Sequence, residues 1–224
     1  MQDMKRGLIA CCMVEDEVNA ALDKFKPEGL EIIWVERGYH SEPDILRQHL
    51  QMQIKLMEEK GCTEILLAYG LCGRGTEGLV SQRARLIIPR YDDCLNFMLC
   101  TGKREQRALC RAGVMYLTNG WCKDQGALLQ MHERYVSKYG QRRGDRIMHL
   151  MFESYNSVSI IDTGCYELEP VREYGQKSAD LLRLALTEEP GSNIIMEKLI
   201  AGHYDEDFIV CEPGQAITME DFEV

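Results

Sequence analysis

Four short apolar runs, each handing over to a loop or an amphipathic segment, constrain this chain more than any other feature. Residues 7–11 (GLIAC), 30–35 (LEIIWV), 64–69 (EILLAY) and 85–89 (RLIIP) are rich in Ile, Leu, Val and Ala and lack steady polar alternation. A strand with one wet face alternates, whereas a strand covered on both faces reads as a continuous apolar run. The intervening segments fit helices. Glu15, Asp16 and Glu17 put acids in a first turn, where the helix dipole favours them. Residues 44–60 carry apolar residues at Ile45, Leu46, Leu50, Ile54, Leu56 and Met57, and Gly61 stops them. A helical start is expected at 76–79, and Asp92 is placed as the N-cap of a helix carrying Cys94.

Strand and helix in alternation predict an α/β fold, a Rossmann-like doubly wound parallel sheet with strand order 2-1-3-4. The rest of the chain is less regular. Strands are expected at 114–117, 157–162 and 208–211, helices at 128–139, 175–187 and 192–201, and a basic loop at 138–146. This gives room for two α/β lobes: residues 1–120 as the Rossmann-like lobe with the site, and 121–224 as a second lobe ending in an acidic tail.

Charge narrows the partners. Lys and Arg number 26 against 36 Asp and Glu, a formal charge of −10, which disfavours a broad nucleic-acid or anionic-membrane surface. Residues 168–224 hold 4 basic and 13 acidic side chains, while 74–111 hold 8 and 4, so the latter segment could attract an anionic small molecule. The apolar run 8–10 is too short for a signal peptide, and no stretch approaches the roughly 18 apolar residues of a membrane span. The expectation is a cytoplasmic protein whose ten cysteines are reduced.

Three of those cysteines sit where an apolar run ends: Cys11 after the first, Cys72 after the third and Cys94 past the fourth. Ligands of open parallel sheets bind outside the carboxyl ends of the strands, where loops distant in sequence meet. Thiolates gathered there suit zinc or an iron–sulfur cluster, and helix N-termini should lower their pKa. His40 and Cys165 also follow strands and could complete the set, and Cys122 stands in reserve. Packing is the competing reading, since free cysteine is among the most buried residues and no C-x-x-C occurs. Cys12 should point away from Cys11 if the strand continues. Cys62, Cys100, Cys110 and Cys211 read as core. The glycines Gly70, Gly73, Gly75 and Gly78 outline a phosphate cradle, with Arg74 and Arg90 nearby, but no P-loop lysine follows and a tight turn explains them as well.

At these residues the chain resembles an uncharacterised prokaryotic family, domain of unknown function 1638. The matching pieces are Ile9-Ala10-Cys11, His40-x-x-Pro43-x-x-Leu46, Tyr69-Gly70-Leu71-Cys72-Gly73-x-Gly75, Ile88-Pro89-Arg90-x-Asp92-Asp93-Cys94, Tyr116-Leu117-Thr118-x-Gly120-Trp121 and Asp207-Phe208. The sequence departs from that pattern at Cys12 and Asp92. Members accompany corrinoid-dependent methyltransferase systems in anaerobes. The resemblance therefore implies a methyl-transfer role, a corrinoid contact, and a corrinoid protein or methyltransferase as partner. Three roles stay open: a zinc-thiolate protein of methyl transfer, an iron–sulfur protein using the same cysteines, and a non-catalytic cofactor or metal chaperone.

Overall fold

The computed structural model describes residues 5–36, 39, 42–102, 110–123 and 127–223. His40 lies outside them. Among the described residues two sheets are formed. The first is built from β1 (Arg6–Cys11), β2 (Glu31–Val35), β3 (Glu64–Ala68), β4 (Arg85–Pro89) and β8 (Phe208–Cys211), in the order β2-β1-β3-β4-β8. The second joins β5 (Val114–Leu117), β6 (Ser157–Asp162) and β7 (Ala185–Pro190), all parallel.

The expected order 2-1-3-4 holds, with parallel pairing throughout those four strands. Every residue of β3 is buried, as a continuous apolar run requires. Helices α1 (Glu15–Phe25) and α2 (Pro43–Glu59) follow β1 and β2. Pro43 opens α2 at a position where its missing N–H costs nothing. The apolar face of α2 buries Leu46, Leu50, Ile54 and Met57.

Three expectations change at this level. Residues 72–78 form consecutive turns rather than the start of a helix, so β3 runs to β4 without a helical crossover. Cys72, Gly73 and Arg74 all have positive φ (49°, 63° and 74°), a conformation no right-handed helix accepts. The cap of α3 (Cys94–Met98) is Asp93, not Asp92: its side chain accepts from the Asn96 N–H at 2.8 Å. The basic stretch expected as a loop is the junction of α5 (Leu128–Tyr139) and α6 (Gln141–Met151), broken at Gly140.

The sheets do not follow the halves 1–120 and 121–224. Strand β5 pairs with β6 in the second sheet, and β8 returns antiparallel to β4 in the first, after α7 (Leu168–Leu182), β7 and α8 (Ile194–Ala201). The segment 185–187, expected at the end of a helix, lies in β7. The two sheets meet through the loops leaving β1, β5 and β6. Helix α4 (Asn119–Lys123) lies against the 3-10 turn Cys12–Val14, so closely that a Cβ on Gly120 would stand 2.3 Å from the Met13 carbonyl oxygen. Asn119 donates to Asp16 at 2.8 Å, and Thr163 donates to Glu17 at 2.7 Å.

Candidate functional site

The chain reverses its direction of travel across the first sheet between β1 and β3, and the cysteines fall at that switch. Cys11 is the last residue of β1. Tyr69 follows β3 directly, and Cys72 comes three residues later. Cys94 begins α3, after β4. Two backbone bonds tie the second and third loops together: Leu71 N–H to the Tyr91 carbonyl and Cys72 N–H to the Asp92 carbonyl, each 2.8 Å. Gly70 is needed for that approach, because a Cβ there would lie 2.5 Å from the Tyr91 oxygen. The positive φ of Cys72 places a thiol where a glycine would be the easier residue, and backbone of this kind costs free energy that a site must justify.

All three thiols are buried, with exposures of 1%, 8% and 9% for Cys11, Cys72 and Cys94. They act on one another. The Cys11 thiol is pushed well above its ordinary range by a hydrogen bond with Cys12, then by burial and by Cys94. Burial pushes Cys94 up as well, followed by the charges of Cys72, Asp93 and Glu17. Cys72 rises to about 12 through burial, although the N–H groups of Gly70 and Cys94 pull the other way. Helix N-termini were expected to lower these pKa values. At Cys94 a helix N-terminus is present, but its five-residue helix cannot offset the loss of hydration around a thiolate. Cys12 does not point away from Cys11 either, since the chain enters a 3-10 turn at Cys12 and the two side chains share a hydrogen bond.

Around the thiols stands a ring of further acids, of which sequence reasoning missed Tyr69 and Glu17. Burial raises the Tyr69 phenol, with Cys11, Cys72 and Cys12 adding to the effect and a hydrogen bond to Cys11. Glu17 is 2% exposed and raised by burial; Thr163 from the second sheet donates to it. Asp93 is raised by burial too. Cys165 sits beside the same loop, lifted to about 11 by burial and facing the charge of Glu17. Among the described residues, the leading influences on Cys11, Tyr69, Cys72, Asp93 and Cys94 include no cation. Glu17 alone feels one, Lys123, which pairs with Asp16 at 3.2 Å. An acid in a first helical turn reads as a dipole partner, so nothing in the sequence marks Glu17 as buried.

The structure thus brings Cys11, Cys72 and Cys94 to one rim. Among the described residues, however, no group of three His, Cys, Asp or Glu side chains is arranged to hold a metal ion. Thiols and carboxylates have the chemistry to fit a thiophilic cation, but as they stand they are not drawn into a ligating set. The other predicted residues disperse. Arg74 is exposed and committed to Glu77 at 2.7 Å, and Arg90 donates to the Phe208 carbonyl at 3.3 Å. Gly70, Gly73 and Gly75 shape the turn. All ten cysteines are free thiols, and no described helix is long and apolar enough to cross a membrane.

A family model described as a protein of unknown function, DUF1638, matches residues 34–200. The chain belongs to that family. The DUF1638 match takes in Cys72, Cys94, Asp93 and Trp121 and begins after Cys11 and Glu17. Neither the curated proteins nor the solved structures yielded a match.

Proposed function

We propose that this chain is a cysteine-ligated metal-binding protein in which Cys11, Cys72 and Cys94 hold zinc or an iron–sulfur cluster. One observation supports the reading: three buried thiols lie at or past the ends of three adjacent strands at the switch point of a parallel sheet, amid further acids, and among the described residues the leading influences on them include no cation. Each of these groups opposes ionisation of its neighbours, so the thiolate form of the set would need a cation beside it. A bound divalent ion would supply the missing charge, lower the thiol pKa values and activate a thiol or water at an open position near neutral pH. Loading draws the three thiols together. Tyr69 steadies Cys11 through their hydrogen bond, and Glu17 and Asp93 add negative potential. The association with corrinoid-dependent methyl transfer, with a corrinoid protein or methyltransferase as partner, is part of the proposal and rests on the family resemblance.

The test is anaerobic purification, reconstitution with zinc or with iron and sulfide, elemental analysis and a visible spectrum. Stoichiometric zinc supports a thiolate site of the zinc type, and brown colour with iron and sulfide supports a cluster. Cys72→Ser should lose the metal while keeping its circular dichroism, and Cys211→Ser should keep both. A wild-type protein that retains neither metal, or a Cys72→Ser variant that retains all of it, contradicts the proposal.

A further inference from the structure

Beside the thiol rim, walled by β5 and the helices of the second sheet, lies a cavity of about 380 Å³. That volume is within the range of small-molecule sites. Its wall is dominated by rings: Tyr116, Trp121, Phe152, Tyr155 and Tyr174 all line it, together with aliphatic and methionine side chains. Two of the phenols are already engaged with backbone. The Tyr174 hydroxyl accepts from Leu129 N–H at 3.1 Å, and the Tyr116 hydroxyl accepts from Arg111 N–H at 3.2 Å. Ring surface is therefore what these two chiefly leave for an occupant.

Among the described lining residues Asp93 is the single charged one, and none is Lys, Arg or His. That asymmetry selects the occupant. An anion would meet a carboxylate in a poorly hydrated site with no positive partner among the described lining residues, at a cost that grows as the dielectric falls. A neutral molecule would displace water from the carboxylate without supplying countercharge, leaving it only the neutral donors of its helix cap, the backbone and side-chain N–H groups of Asn96 at 2.8 and 3.1 Å. A cation satisfies both walls, pairing with the carboxylate while aromatic faces attract it through their quadrupoles. Asp93 also precedes Cys94 and acts on both Cys72 and Cys94, so the charged end of an occupant would lie next to the thiols.

The geometry points to a binding site for a small organic cation, its ammonium-type head against Asp93 and its apolar body against the aromatic wall. This does not depend on the metal reading, and its test is made on metal-free protein. Calorimetric titration uses three probes of one shape: phenethylamine at a pH where it is protonated, the neutral phenethyl alcohol and the anionic hydrocinnamate. The amine should bind at least about tenfold tighter than the alcohol, and hydrocinnamate should not bind. Asp93→Asn keeps a residue type that caps helices well, and it should bind amine and alcohol alike. Met131→Trp, which fills the cavity, should abolish binding of all probes and covers the case in which Asp93→Asn does not fold. Equal affinity for amine and alcohol in the wild type, a preference that survives Asp93→Asn, binding that survives Met131→Trp, or no binding by any probe overturns the inference.

Discussion

The two ends of the first sheet bury acids in opposite ways. At the N-terminal end of β3, Glu64 is 2% exposed and fully matched: Arg6 and Tyr204 reach one oxygen at 3.1 and 2.7 Å, and Arg85 reaches the other at 2.6 Å. At the C-terminal end of the same strand, Tyr69 faces Cys11 and Cys72, Cys72 faces Asp93, and Cys94 faces Cys72, Asp93 and Glu17, and among the described residues the leading influences on these three groups include no cation. A fold can pair a buried acid when it has reason to. The matched end is structural; at the other end burial holds the thiols protonated, the state from which the proposed cation would draw its ligands.

Breaking the matched end should have the largest effect. Glu64→Ala strands Arg6 and Arg85 beside a buried gap and should lower unfolding free energy by about 3 kcal/mol or more in a denaturant titration. Glu17→Gln at the other end, where the acid already lacks a cationic pair, should cost far less. Gly70→Ala comes next, since its Cβ would collide with the Tyr91 oxygen; about 1–3 kcal/mol of stability should be lost, with metal retention falling as the two loops separate.

A smaller effect appears in pH. The Glu17 carboxyl is raised from its ordinary value of 4.5, so the folded state holds its proton more tightly than the unfolded chain does. Its contribution is fully present below that ordinary value and is lost as pH rises toward the raised one. Wild-type stability should therefore decline over that interval by more than that of Glu17→Gln, measured by thermal melts across the range. An unchanged slope would remove Glu17 from the unmatched set. Arg74→Ala should have the smallest effect, with no shift in the unfolding midpoint, because that side chain is exposed and, among the described residues, bound only to Glu77.

The sequence made β1, β3 and β4 readable because doubly covered strands leave unbroken apolar runs, while β2, an edge strand with Ile32 and Trp34 exposed, was legible from its β-branched and aromatic residues alone; the positions of Cys11, Cys72 and Cys94 at or after the ends of the covered strands followed. Strand β7 was hidden for the opposite reason: ALTEEP is an edge strand with no buried residue and two consecutive glutamates, and its pattern gives no strand period. Helix α6 was hidden by its charges and by Gly144, a residue that weakens helices but here lets α6 approach α5, with a Cβ only 2.7 Å from Val136. The return of β8 to the first sheet is a tertiary choice without a local signal. Asp93 adjoins Cys94 in sequence, but the Glu17–Thr163 contact beside the thiols arises only when the two sheets meet, so no spacing could announce it.

Proton release on metal addition tests the central claim most directly. Thiols held protonated by burial must surrender those protons to ligate, so titrating zinc into metal-free protein in weak buffer near neutral pH should release about three protons per ion bound. Cys72→Ser should lose tight zinc binding and the release that accompanies it. Stoichiometric binding without proton release, or release unchanged in Cys72→Ser, would show that the ion sits elsewhere and that the converging thiols are only packing.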